Sequence, residues 1–370
     1  MSFLSIPVLD YSLAQEPTKT HFLASLRHAI VNVGFFYLKN TPISPHVQAR
    51  FVALGQALFD LPIERKLAVE MVHSRHFLGY SRLGAEITNL TQDFREQFDF
   101  GTELPPPSPD APLYHNIKGP NQWPDESDIP GFRVALEEYL AEVSLLGDNF
   151  KRLIAEALDL PPTALDGFFD DPQQYKLKLI KYPPPESADS SPSHGSSDVQ
   201  GVGPHKDSDF MTFLLQATPH TGLEVQNKAG QWISAPPIPD TLVVNIGRAL
   251  EALTRGVCTA TTHRVSLRPE NFVDAQGNPL GPRFSFPVFQ GICLDLSSDS
   301  LALKIPTHIA DLVKDEKVKS DAEATFNSVF RGNIGQGTLI ARITSHQDVG
   351  ARWYPDLLAE ALKGQKQQKQ

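Results

Sequence analysis

The period of the side-chain pattern changes once along this chain, and that change limits the fold more than any other feature. Residues 131–159 carry a long helical stripe: Phe132, Leu136, Tyr139, Val143, Leu146, Phe150, Leu153, Ile154 and Leu158. Pro161-Pro162 stops it. From residue 175 the pattern becomes a series of short strand-like runs. They are 175–182 (YKLKLIKY), 211–215, 222–226, 231–234, 241–246, 257–259, 262–267 and 283–289. Many short strands at close spacing build a sandwich or barrel. The expected architecture is mainly β, with α-helices from both ends of the chain packed outside the sheets.

Ahead of the change, Ile6-Pro7-Val8-Leu9-Asp10 reads as a short strand and 35–38 (FFYL) as another. Helices are expected at 18–32, at 44–59 with Pro45 near its start, and at 62–70. The stretch 71–130 reads as irregular, with Gly79, Gly84, Gly101 and the run Pro105-Pro106-Pro107. It is too long for a simple connector, so it wraps the domain or walls a pocket. Later helices are expected at 305–328 and 355–364, before a polar tail. The chain thus divides into an N-terminal region (1–130), a long core helix (131–170), a β core (171–295) and a C-terminal helical region (296–370). All four are expected to form one integrated domain.

Composition removes several function classes. Net charge is -10 with no block of Lys and Arg, so a nucleic-acid partner is not expected. Cys258 and Cys293 are the only cysteines, which excludes a disulfide framework. No apolar run reaches membrane-spanning length, and the first residues lack the basic start of a signal peptide. A cytoplasmic, monomeric protein acting on a small molecule is expected.

The chemistry-bearing residues lie in the strand-rich half. His205 and Asp207 form an HxD triplet, and His263 follows in Thr261-Thr262-His263-Arg264-Val265. In a strand, positions i and i+2 share a face, so His205 and Asp207 reach one ion together. Gly201, Gly203 and Pro204 equally allow the pair to sit on a turn at the strand edge. Two imidazoles and one carboxylate are the ligand set of a non-haem Fe(II) centre with open positions. A zinc hydrolase on the same three ligands is the chemical alternative. Arg283 and Ser285 share a face of the 283–289 strand, where the guanidinium fork can grip a distal carboxylate bidentately.

These segments resemble the 2-oxoglutarate and Fe(II)-dependent dioxygenases of the isopenicillin N synthase-like group, most closely fungal members. The likeness runs from IPVLDYS (6–12) and GFFYLKN (34–40) through the 131–169 helix and KLIKYPPP (178–185). It continues in GPHKDSDFMTFLLQ (203–216), GLEVQNKAGQWISAPPIPDTLVVNIG (222–247), EALTRGVCTATTHRV (251–265) and RFSFPVF (283–289). The resemblance implies a double-stranded β-helix, or jelly roll. It implies His205, Asp207 and His263 as iron ligands, Arg283 and Ser285 as contacts of the 2-oxoglutarate C5 carboxylate, and Tyr182 as a further contact. Fe(II), 2-oxoglutarate and O2 would then oxidise a C–H bond of a small organic metabolite, in secondary metabolism or in a housekeeping oxidation, releasing succinate and CO2. Two departures stand out. Arg248 follows Asn-Ile-Gly where the group often has aspartate, and the Ser-rich segment 183–204 is longer than usual.

Substrate walls are expected from loops and outer elements. The candidates are His76, Phe77, Tyr80, Arg95, Phe98, Phe210, Phe213 and Trp353, with Phe289 added because it shares the strand face of Arg283 and Ser285. Two rival readings remain open at this point: an Fe(II)/O2 oxidase that does not use 2-oxoglutarate, and a non-catalytic jelly-roll binding protein.

Overall fold

The computed structural model describes residues 2–88, 91–185, 200–297, 303–313 and 333–367. The first part of the chain runs β1 (Val8–Asp10), α1 (Lys19–Asn32), β2 (Phe35–Lys39), α2 (Pro45–Ala57), α3 (Ile63–Ala68), β3 (Gly79–Ser81), β4 (Ile87–Thr88), β5 (Thr91–Gln92), β6 (Glu96–Gly101) and α4 (Phe132–Ala157). Then come β7 (Tyr175–Tyr182), β8 (Gln200–His205), β9 (Met211–Gln216), β10 (Leu223–Gln226), β11 (Trp232–Ser234), β12 (Thr241–Ile246), α5 (Arg248–Leu253), β13 (His263–Ser266) and β14 (Arg283–Gln290). The C-terminal part contributes α6 (Thr307–Ala310), α7 (Ile334–Ser345), α8 (Gln347–Trp353) and α9 (Pro355–Gln367).

Two sheets face each other as a jelly roll. The larger has eight strands in the order β1-β2-β12-β9-β14-β7-β6-β3, and the smaller has four in the order β11-β10-β13-β8. Side-chain parity explains why the larger sheet can be covered on both faces. Leu177 and Leu179 of β7, Phe213 and Leu215 of β9, Val244 and Ile246 of β12, and Phe286 and Val288 of β14 point to the helical side. There they pack with α1, α2 and α4, where Tyr139 stacks on Phe51 with ring centroids 4.2 Å apart. Each such side chain, fully buried, contributes about 1.5–3 kcal/mol. The alternate residues face the small sheet. Ile180, Tyr182, Leu214 and Val243 meet Val202, Leu223, Val225 and Val265 there.

The structure departs from the sequence expectation in four places. The segment 71–130 is not merely irregular: β6 pairs with β7 and β3 with β6, extending the large sheet. Residues 257–259 form no strand. They follow the short helix α5 in a turn, where the Thr254 hydroxyl accepts the Cys258 N–H at 3.0 Å. Of the helix expected at 305–328, the described residues hold only α6, and 314–332 lie outside them. The helices α7 and α8 were not foreseen. Within 183–204, residues 186–199 lie outside the described residues and 200–204 belong to β8. Among the described residues, no helix is long and apolar enough to cross a membrane.

Candidate metal centre and active site

The pairing of β13 with β8 sets His263 directly opposite His205, with ring centroids 4.2 Å apart. His205 ends its strand, and the turn beyond swings Asp207 back between the two rings. Asp207 Oδ1 lies 3.4 Å from His205 Nε2 and 3.6 Å from His263 Nε2. One candidate ligand atom from each residue falls within 4.8 Å of the others. A His-x-Asp pair and a histidine far downstream in sequence therefore converge on one point.

Each ligand atom is oriented from behind. His205 Nδ1 donates to the Gly203 carbonyl at 2.8 Å, and His263 Nδ1 donates to the Thr261 carbonyl at 3.2 Å. Both Nε2 lone pairs are thereby left for a metal. Asp207 Oδ2 accepts from the Thr212 hydroxyl at 2.5 Å and from the Asn245 amide at 2.8 Å. Thr212 and Asn245 are themselves cross-strand partners on the inward face of β9 and β12. Burial alone would raise the Asp207 carboxyl, but the His263 and His205 imidazoles and the Asn245 amide hold it well below the usual carboxylate range. Burial pushes His263 down to about 4, with His205 adding to the effect. An anionic carboxylate beside a neutral imidazole is the protonation state that metal binding requires.

The loop after Asp207 is held by backbone contacts. Arg248 N–H donates to the Asp207 carbonyl at 2.8 Å, and Gly247 N–H to the Phe210 carbonyl at 3.0 Å. A Cβ at Gly247 would collide with the Asp209 carbonyl, so this close approach needs glycine.

The three residues open into a cavity of about 290 Å³, lined also by Tyr182, Ser285, Phe289, Arg95 and Arg248. Arg283 pairs with Tyr182 across β14 and β7, and its guanidinium stacks over the Tyr182 ring at 4.9 Å. It is 1% exposed, and its Nη1 finds no hydrogen-bond partner among the described residues. Burial pulls its pKa down, with Tyr182 opposing. A buried guanidinium with an orphaned nitrogen is costly unless an acid completes it. A dicarboxylic co-substrate suits this donor.

Parity also sorts the expected substrate residues. Arg95 and Phe289 do line the cavity. Seven others do not. Phe98 and Phe213 point to the helical side, against Phe59 and Phe150 respectively. Phe210 packs edge-on against Phe169. Phe77 stacks on Tyr354, and His76 Nδ1 donates to the Asn116 carbonyl at 2.9 Å. Tyr80 donates to Glu96 at 2.8 Å. Trp353 lies beneath Arg75 and Arg352 and donates to the Val72 carbonyl. In their place the wall uses residues that sequence reasoning missed: Glu86, Lys178, Thr338, Ala341 and Arg342. Glu86 receives Lys178 at 3.0 Å and Arg95 at 2.8 Å. Burial would raise Glu86, but Arg95 and Lys178 hold it well below its ordinary value.

Residues 6–126 match the family profile of the N-terminal region of non-haem dioxygenases in morphine synthesis. Residues 174–291 match that of the 2OG-Fe(II) oxygenase superfamily. A 2-oxoglutarate-dependent dioxygenase of Gibberella zeae is 46% identical over all of this chain and 96% of its own length. The 2-oxoglutarate-dependent dioxygenase frbJ of Dothideomycetidae sp. (strain 11243) is 47% identical over all of this chain and 97% of its own. A full-length Neurospora crassa protein, crystallised in complex with alpha-KG, superposes with a TM-score of 0.66 at 26% identity, covering 84% of this chain and 97% of that one. The chain accordingly belongs to the 2-oxoglutarate and Fe(II)-dependent oxygenase superfamily, as a non-haem iron dioxygenase that oxidises a small molecule with 2-oxoglutarate as co-substrate.

Proposed function

We propose that His205, Asp207 and His263 hold the Fe(II), and that Arg283, with Ser285 and Tyr182 beside it, holds the distal carboxylate of 2-oxoglutarate. The observation that carries this reading is the buried Arg283 guanidinium with its unpaired Nη1. It stands on the strand face that also presents Ser285 to the cavity of the three ligands. When bound, iron and co-substrate supply the oxidising chemistry: dioxygen is reduced as 2-oxoglutarate gives succinate and CO2, and a substrate C–H gains a hydroxyl.

This chain's residues do the positioning. The Gly203 and Thr261 carbonyls fix both imidazole tautomers, and Thr212 with Asn245 reserves one Asp207 oxygen for the metal. Phe35, Val202, Leu214 and Val265 give the inner cavity an apolar wall beside the three ligands. A small metabolite is the substrate class that the net charge of -10 and the cavity volume favour over a nucleic acid. We take the reaction to be hydroxylation by the monomer.

Anaerobic titration with Fe(II) and then 2-oxoglutarate tests the assignment. A weak visible charge-transfer band is expected, absent in His205→Ala and Asp207→Ala. Arg283→Gln should need about 10- to 100-fold more 2-oxoglutarate, the value of a charged hydrogen bond. A normal band in either ligand variant, or unchanged 2-oxoglutarate affinity in Arg283→Gln, would remove the reading. Substrate-dependent succinate release separates it from an oxidase that spares 2-oxoglutarate.

A further inference from the structure

We infer that Arg248 is the substrate-recognising cation of this site and that the substrate is a small monocarboxylate. The inference rests on the proposed arrangement of iron and 2-oxoglutarate and adds to it the charge of what is oxidised.

The charges around the cavity are matched almost completely. Lys178 and Arg95 share Glu86, and Arg95 also meets Asp93 at 3.1 Å. Arg342 leans toward Asp99 at 3.7 Å. Lys206, on the cavity wall, is paired with Glu251 at 3.2 Å. Burial pushes the Asp209 carboxyl up and the Lys176 amine down, so this buried pair is drawn toward its neutral forms. Iron with Asp207, and the 2-oxoglutarate dianion with Arg283, balance one another. Arg248 is the exception. It is a lining residue of the cavity, its side chain makes no hydrogen bond or ion pair among the described residues, and its Nε is buried.

An unpaired cation with a buried Nε on a cavity wall is stable only if solvent or a ligand completes it. A single planar fork matches a single carboxylate, whereas a phosphate dianion calls for a second cation. Position sets the scale. The Arg248 backbone N–H is bonded to the Asp207 carbonyl, so the guanidinium lies within one side chain's length of a metal ligand. The cavity of about 290 Å³ must also admit 2-oxoglutarate, so the part of the substrate that reaches between Arg248 and the three ligands is short. The oxidised C–H bond is therefore a few bonds from the carboxylate.

The test uses the full chain loaded anaerobically with Fe(II) and 2-oxoglutarate. The probes are the proteinogenic L-amino acids and linear four- to eight-carbon monocarboxylic acids, each beside its carboxamide. Binding is read as perturbation of the visible band, and turnover as succinate release. At least one acid should perturb the band while its carboxamide does not. Arg248→Gln should weaken that acid about 10- to 100-fold, and Arg248→Lys should recover part of the loss. The unperturbed band should be intact in both variants, which also reports folding. The inference is overturned if an acid and its carboxamide bind equally, if Arg248→Gln leaves the acid's affinity unchanged, or if no acid in the panel binds to protein that forms the band. A wild type that forms no band at all defeats the underlying iron reading instead, and this inference with it.

Discussion

A carboxylate gives a metal one oxygen reliably only when something else occupies the other. In this protein that task falls to Thr212 and Asn245, which both donate to Asp207 Oδ2 and leave Oδ1 facing the two imidazoles. Thr212→Val keeps the shape and removes the hydroxyl, so Fe(II) affinity should fall about 10- to 100-fold. Thr212→Ser should restore it. Unchanged affinity in Thr212→Val, measured by anaerobic Fe(II) titration, would show that the carboxylate needs no such anchor. The three ligand positions were legible in the sequence because a His-x-Asp triplet and a later histidine are chemically distinctive. The two supports were not, because Thr and Asn in strands have many ordinary uses. A signal existed all the same: Thr212 in MTFLLQ and Asn245 in TLVVNI are polar residues at the inward parity of otherwise apolar strands. Two of the aromatic expectations failed by the same rule. Phe98 and Phe213 stand on the parity that meets the helices, whereas Phe289 was placed by counting from Arg283 and does reach the cavity.

At the level of elements, the cavity wall owes much to α7, which supplies Thr338, Ala341, Arg342 and Ser345. This helix lies over the turn Leu113–Ile117, and Gly335 makes the approach possible: a Cβ there would collide with the Tyr114 ring. Gly335→Val should lift α7 from its seat. Amide exchange across 334–353 should then quicken by at least tenfold, while the iron and 2-oxoglutarate band persists, since neither ligand set touches the helix. Unaltered exchange would mean that Tyr114 simply yields. The helix was hidden in sequence for a physical reason. Two glycines in IGQGTLIARITS lower its intrinsic propensity, and its buried stripe is narrow: Ile334, Leu339 and Ile343. The strand β6 was overlooked because EQFDFG buries polar residues on one face. Gln97 and Asp99 alternate with Phe98 and Phe100, a true period of two whose polar half reads as surface until Lys178 and Arg342 are seen to meet Asp99. By contrast β7 and β12 matched their expected bounds, because each has a strong apolar face closed by turn residues.

Across the whole molecule, distant segments are tied together by one buried charge network, and its weak point is His346. This residue joins α7 to α8, and its Nε2 lies 3.8 Å from Glu86 Oε1 of the N-terminal half. Glu86 in turn holds Arg95 and Lys178, so three remote stretches of chain share one carboxylate. Burial pushes His346 down to about 4; Lys178 and Arg342 oppose its protonation, while Glu86 and Asp99 favour it only partly. The sign of the consequence follows. Between the ordinary histidine value of 6.5 and about 4, the unfolded chain carries the proton and the folded one does not. Stability from the neutral ring is therefore complete above pH 6.5 and is lost as pH falls toward 4. The depression is equivalent to about 3 kcal/mol. His263, lowered to about 4 as well, contributes in the same direction in metal-free protein. It cancels when wild type is compared with His346→Gln in the same state. Urea unfolding of both proteins at pH 4 to 8 should give a stability difference that is flat above pH 7. Below that it should shift by about 3 kcal/mol against the wild type as the acid limit is approached. A difference that stays constant over the whole range would mean that the imidazole takes up its proton as readily in the folded protein as in the unfolded chain.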